Sequence, residues 1–122
     1  MNLTATRAQI REALDDYIEQ ANANVRVRRT LANWHCSIHF EALDCDASFT
    51  LRVDHGEIVS AEDGLHGEPD LLVQASGDDL SEIFWGEANP AERYNAGAIK
   101  VRGSQEHLMR LDAVAMFVYL GA

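Results

Sequence analysis

Residues 68–103 read EPDLLVQASGDDLSEIFWGEANPAERYNAGAIKVRG, and this stretch decides the fold because it parses almost residue by residue. Pro69 and Asp70 close a loop. Leu71, Val73 and Ala75 then alternate with Leu72 and Gln74, the period of a half-buried strand. Ser76 and Asp79 have the spacing at which an N-cap hydroxyl and an acid three residues on satisfy free backbone amides, so a helix begins at once, with Leu80, Ile83 and Phe84 as its buried face. Gly86 ends that helix. Asn89 followed by Pro90 is an N-cap and a first-turn proline opening a second, short helix that Gly97 closes. A strand from Ala98 to Arg102 follows, with Ile99 and Val101 on one face and Lys100 and Arg102 on the other.

Upstream, Thr6 and Gln9 stand in capping-box spacing ahead of Ile10, Ala13, Leu14, Tyr17, Ile18 and Ala21, which repeat every three and four residues. Residues 22–24 end this helix. Val25, Arg26, Val27, Arg28 and Arg29 follow as the basic cluster of the chain, read either as a solvated connector or edge segment, or as a contact for an acidic partner or a ligand carboxylate. Trp34, Cys36, Ile38 and Phe40 then alternate with His35, Ser37, His39 and Glu41, a strand with the second set facing outward. Its partner carries Phe49, Leu51 and Val53, and Asp54-His55-Gly56 is a hairpin turn into a third strand from Ile58 to Ala61. Residues 63–68, with two glycines and a histidine, read as a mobile loop.

The order strand, helix, Gly, Asn-Pro helix, Gly, strand, Gly resembles the sterol carrier protein type 2 family of small lipid-binding domains. The matching pieces are Pro69-Asp70 entering a strand, Asp79-Leu80 in a helix ending at Gly86, Asn89-Pro90, and Gly97-Ala98-Ile99-Lys100-Val101-Arg102-Gly103, within a resemblance covering roughly Asp46 to Leu111. It implies an α+β fold: a mainly antiparallel five-stranded sheet covered on one face by helices, with an apolar tunnel between them that shelters a lipid. The residues expected to line that tunnel are Ile83, Phe84, Leu108, Leu111, Met116, Phe117 and Leu120, with Trp85 near an entrance.

The last helix carries its own argument. Ser104 caps it and no breaker follows until Gly121, but from Ala113 to Leu120 it is apolar nearly all round. Something must cover it: the sheet, an apolar cavity, or a homodimer seam. Asp112 interrupts this surface. It is either a solvent-facing residue or a polar group at a cavity mouth that orients a ligand hydroxyl or acts as a base.

Composition bounds the rest. With 122 residues the chain is read as one domain, 1–122, with enough apolar content for a core and little more. A net charge of −10 makes nucleic acid and anionic membranes unfavourable partners. The start of the chain lacks the basic-then-apolar succession of a leader and its end lacks a targeting tripeptide, so a cytoplasmic setting without stable membrane insertion is expected. Cys36 and Cys45 are read as reduced thiols. His35 and His39 would lie roughly 13 Å apart along a strand, too far to share one zinc ion. No phosphate loop, nucleophile elbow or Cys-x-x-Cys occurs, so neither a cofactor nor a catalytic residue is assigned. The leading reading is a non-catalytic carrier of a hydrophobic small molecule. The alternatives are a small enzyme or pathway accessory protein acting on a hydrophobic intermediate in the same cavity, and an interaction module.

Overall fold

The computed structural model describes residues 5–121; the readings of a leader-free start and of the terminal tripeptide fall in part on residues 1–4 and 122, outside the described residues. The chain runs α1 (Arg7–Ala23), α2 (Val25–Leu31), β1 (Cys36–Ala42), β2 (Ser48–Asp54), β3 (Glu57–Asp63), β4 (Leu71–Ala75), α3 (Gly77–Phe84), α4 (Pro90–Asn95), β5 (Ile99–Gly103) and α5 (Gln105–Leu120). Local chemistry sets most of these boundaries. At α1 the capping box is complete, with Gln9 N–H donating to Thr6 Oγ1 (3.2 Å) and Thr6 N–H donating to Gln9 Oε1 (2.9 Å). Ser76, Asn89 and Ser104 cap α3, α4 and α5, and Gly121, in the left-handed region, ends α5. His55 and Gly56 both have positive φ (52° and 76°), as a two-residue turn between twisted antiparallel strands requires.

The sheet is mixed, in the order β3-β2-β1-β4-β5. Three neighbouring pairs are antiparallel, and β1 and β4 are parallel, with Ile38 opposite Leu71 and Phe40 opposite Val73. Asp70 starts the parallel pair by closing a ring on Ser37: its N–H donates to Ser37 O (2.8 Å) and its carboxylate accepts from Ser37 N–H (2.9 Å). Alternation then places Ile38, Phe40, Phe49, Leu51, Leu71 and Val73 on one face, where they form a single core with Ile10, Leu14, Val27 and Leu31. A bulge between Arg52 and Val53 lets both Ile58 and Ala61, three positions apart, turn toward this core side.

Three expectations change. The basic cluster is a helix, α2, rather than a connector or edge segment. Asn24 ends α1 and also caps α2, accepting from Arg26 and Val27 N–H, and the pair Val27 and Leu31 is buried while the arginines between them stay outside. His39 does not face solvent. A parallel β1–β4 pair obliges the chain leaving edge strand β3 to cross β2 and β1 before it can enter β4, and residues 64–68 make that crossing on the face opposite the helices. Thr50 Oγ1 donates to Gly64 O (2.8 Å) and accepts from His66 N–H (2.9 Å), and His39 Nε2 lies 3.0 Å from His66 O. Thr50 and His39 are buried beneath this segment at 1 % and 5 % exposure. The segment read as mobile is therefore tied down at both strands it crosses.

Cys36 and Cys45 are free, and Cys36 sits in the core. Burial, reinforced by the negative charge of Asp70, pushes the Cys36 thiol up to about 12. Two outcomes are expected. Removing only the hydroxyl in Thr50→Val strands the His66 amide and the Gly64 carbonyl, and a denaturant midpoint should report a loss of about 1–3 kcal/mol. Because the folded thiol holds its proton to higher pH than the unfolded one, its contribution is whole below the ordinary thiol value and is lost as pH rises from about 9 toward 12. Melting temperature should accordingly fall over that window, less steeply in Cys36→Ala.

Candidate functional site

Over β2 and β3 the helical layer is solid, with α1 and α2 packed against the sheet; over β1, β4 and β5 it is not. There an apolar, partly open cavity of about 650 Å³ lies between sheet and helices. Its floor is Phe40, Val73, Ile99 and Val101. Leu80, Ile83 and Phe84 of α3 form one wall, Pro90, Ala91, Tyr94 and Asn95 of α4 another, and Gln105, Leu108, Met109, Leu111, Asp112 and Ala115 of α5 a third. Tyr17 of α1 closes it where the solid half begins. The volume is that of an ordinary small-molecule site.

Each wall is held by a specific contact. Tyr17, Phe84 and Phe40 form an aromatic row, with centroids 5.4 Å apart for Tyr17–Phe84 and 5.2 Å, edge to face, for Phe84–Phe40. Arg93 of α4 bridges to Glu82 Oε2 (2.8 Å) and to Asp79 of α3; these acids raise the guanidinium pKa, the Glu82 hydrogen bond most. The start of α5 is fixed by Trp34, whose indole N–H donates to His107 Nδ1 (2.8 Å), with the Arg110 guanidinium 5.9 Å from the Trp34 ring. Its end is fixed by α2: Asn24 Nδ2 donates to Phe117 O (3.3 Å), and the Arg26 guanidinium stands 5.9 Å from the Phe117 ring centre.

Of the residues singled out in the sequence, Ile83, Phe84, Leu108, Leu111 and Asp112 border the cavity. Asp112 is exposed as well as cavity-lining, which puts it at the rim. Met116, Phe117, Leu120 and Trp85 are not among the bordering residues. Phe117 turns to the α2 side, Leu120 is 61 % exposed, and Trp85 is 41 % exposed at the end of α3. α5 borders the cavity with Gln105, Leu108, Met109, Leu111, Asp112 and Ala115, so the acid lies on the same side as the two leucines. The α4 side chains and Tyr17 were not singled out. Tyr17 belongs to a regular amphipathic face, and the pattern is the same whether that face meets a wall or a void.

Among the described residues, no group of three His, Cys, Asp or Glu side chains is placed to hold a metal ion, and no helix is long and apolar enough to cross a membrane. The cavity lining carries one ionisable acid, Asp112, two phenols, and no Lys, Arg or His.

An α+β sandwich hollow on one side of a mixed sheet is an architecture with close counterparts. The model of the SCP-2 sterol transfer family matches residues 14–116, and the chain belongs to that family. The solution structure of sterol carrier protein domain 2 from Helicoverpa armigera superposes with a TM-score of 0.76 at 13 % identity, covering 97 % of this chain and 95 % of that one. A crystal structure of sterol carrier protein 2 gives 0.69 at 16 % identity, covering 95 % and 94 %. In sequence, mouse (Mus musculus) stomatin-like protein 1 is 32 % identical over 112 residues, 92 % of this chain and 25 % of that protein. The chain thus spans about a quarter of the length of the curated relative it matches.

Because Phe117 bridges α5 and α2 outside the cavity wall, Phe117→Ala should cost about 2–4 kcal/mol in denaturant unfolding, somewhat below a fully buried phenylalanine because the ring is only partly covered. A midpoint within 0.5 kcal/mol of the parent would show that this packing contributes nothing.

Proposed function

We propose that the chain binds a hydrophobic small molecule, a lipid in the broad sense, in the cavity over β1, β4 and β5, and carries it rather than transforming it. The observation that supports this most directly is the cavity itself. A protein of this size stabilises itself by filling its core, and about 650 Å³ left open and lined by aliphatic and aromatic side chains has an evident use in sheltering an apolar ligand. Membership of the SCP-2 sterol transfer family and the fold shared with sterol carrier proteins support the same reading.

Ligand contacts are proposed for Ile83, Phe84, Leu108, Leu111 and Asp112. Of these Leu111 lies mid-helix on the cavity stripe and Asp112 at the rim, where a charged side chain stays hydrated while the ligand passes. Met109 suits a wall that adapts to ligand shape. In this reading Phe117 holds α5 against α2 rather than touching ligand, and occupancy extends the partly open cavity into the tunnel that the family resemblance implies.

The magnitudes are consistent with reversible carriage. Sheltering about fifteen methylenes at roughly 0.8 kcal/mol each gives on the order of 12 kcal/mol. An association cost of at least about 4 kcal/mol leaves binding in the micromolar range. The hydrocarbon fluorophore diphenylhexatriene should bind saturably, and organic extracts of the purified protein should contain a co-purifying lipid by mass spectrometry. Leu111→Trp, which fills the cavity from its α5 wall, should weaken diphenylhexatriene at least tenfold with little change in unfolding midpoint. Phe117→Ala, measured where it is folded, should bind like the parent. Absence of saturable binding by the parent protein would remove the carrier reading.

A further inference from the structure

Among the polar residues that line the cavity, Tyr17 is the buried one, whereas Tyr94, Asn95, Gln105 and Asp112 are exposed. Tyr17 is 4 % exposed, its ring packs on Phe84, and it borders the cavity. The hydroxyl makes no hydrogen bond to any described residue, whereas the polar side chains packed beneath the crossing segment are all paired. Among the described residues no sealed-off side-chain oxygen lacks a partner, so the unpartnered phenol must keep accessible surface. The open space that Tyr17 borders is the cavity. With no protein partner and an otherwise apolar surrounding, the hydroxyl is left to bond what enters the cavity, and a ligand oxygen is the group positioned to do so.

Resting on the carrier reading above, we infer that Tyr17 is a specificity-determining hydrogen-bond donor for an uncharged oxygen, a carbonyl or a hydroxyl, at the buried end of the ligand. The charge distribution selects against an anionic head group. The lining offers no Lys, Arg or His to neutralise a carboxylate or phosphate among the described residues, and its single acid, Asp112, guards the rim with a negative charge. Burial also pushes the Tyr17 phenol above its ordinary value, so the group stays protonated and able to donate across the physiological range. Ligands of this class are long-chain ketones, quinone-like carbonyl compounds and lipid alcohols, as opposed to free fatty acids or phospholipids.

The test displaces diphenylhexatriene from the parent protein and from Tyr17→Phe with undecan-2-one, undecan-1-ol and undecanoate at pH 8. Tyr17→Phe should bind diphenylhexatriene, which has no oxygen, like the parent. It should bind the ketone and the alcohol about tenfold more weakly, and its unfolding midpoint should be unchanged or higher because no protein partner is lost. The infrared carbonyl band of carbon-13-labelled undecan-2-one should shift to lower frequency on binding to the parent and not to the variant. Loss in the ketone arm alone or the alcohol arm alone would assign the partner atom to that group and uphold the inference. Equal ketone and alcohol affinities in the two proteins would overturn it while leaving the carrier reading intact, as would a lower midpoint for the variant or Tyr17-dependent undecanoate binding as tight as that of the ketone. Failure of diphenylhexatriene to bind the parent would overturn both.

Discussion

The parallel pairing of β1 with β4 is the constraint from which the remaining architecture follows. Two parallel neighbours cannot be joined by a tight turn, so the chain must leave β3 at the sheet edge and return across the outer face of β2 and β1. The Asp70–Ser37 ring fixes where it arrives, and Thr50 and His39 fix how it travels. The same pairing divides the molecule. Everything before β1 covers the β2–β3 half and packs solidly, while everything after β4 must cover the other half with one eight-residue helix, one six-residue helix and α5. Short helices joined by glycine turns form walls more readily than a filled layer, and the cavity lies where the cover is made of them.

Local features were legible in the sequence because their causes are local. Thr6 with Gln9, Ser76, Asn89-Pro90, Ser104 and the His55-Gly56 turn each act within four residues, and each appears in the structure at its expected place. Where the cause was distant, the sequence was silent. The helix at residues 25–31 was hidden because its buried face is only Val27 and Leu31, outnumbered by three arginines. His39 looked like a solvent-facing residue because period two tells which face it is on, not that a segment 27 residues away in sequence will cover that face.

The candidate site shows the same division in sharper form. Apolarity identified α5 as a surface needing cover, yet which stripe meets the void depends on the rotation of the helix, and that is set by contacts at its two ends: Trp34 with His107, and Asn24 and Arg26 with Phe117. The three partners Trp34, Asn24 and Arg26 come from segments far from α5 in the chain, so no reading of residues 105–120 alone could rotate the helix correctly. Tyr17 was visible as an apolar-face residue, and only the fold shows that it borders the cavity with its ring packed on Phe84.

The Asp70–Ser37 ring also bears on how the molecule assembles. The meander β1-β2-β3 pairs residues at most 17 apart in the chain, whereas Ile38 opposite Leu71 joins residues 33 apart and Leu71 opposite Gly103 residues 32 apart. The entropy of closing a long loop is therefore met on both sides of β4. The β1–β4 seam and the cavity floor coincide at Phe40 and Val73, so the long-range pairing that completes the sheet also creates the interior above it.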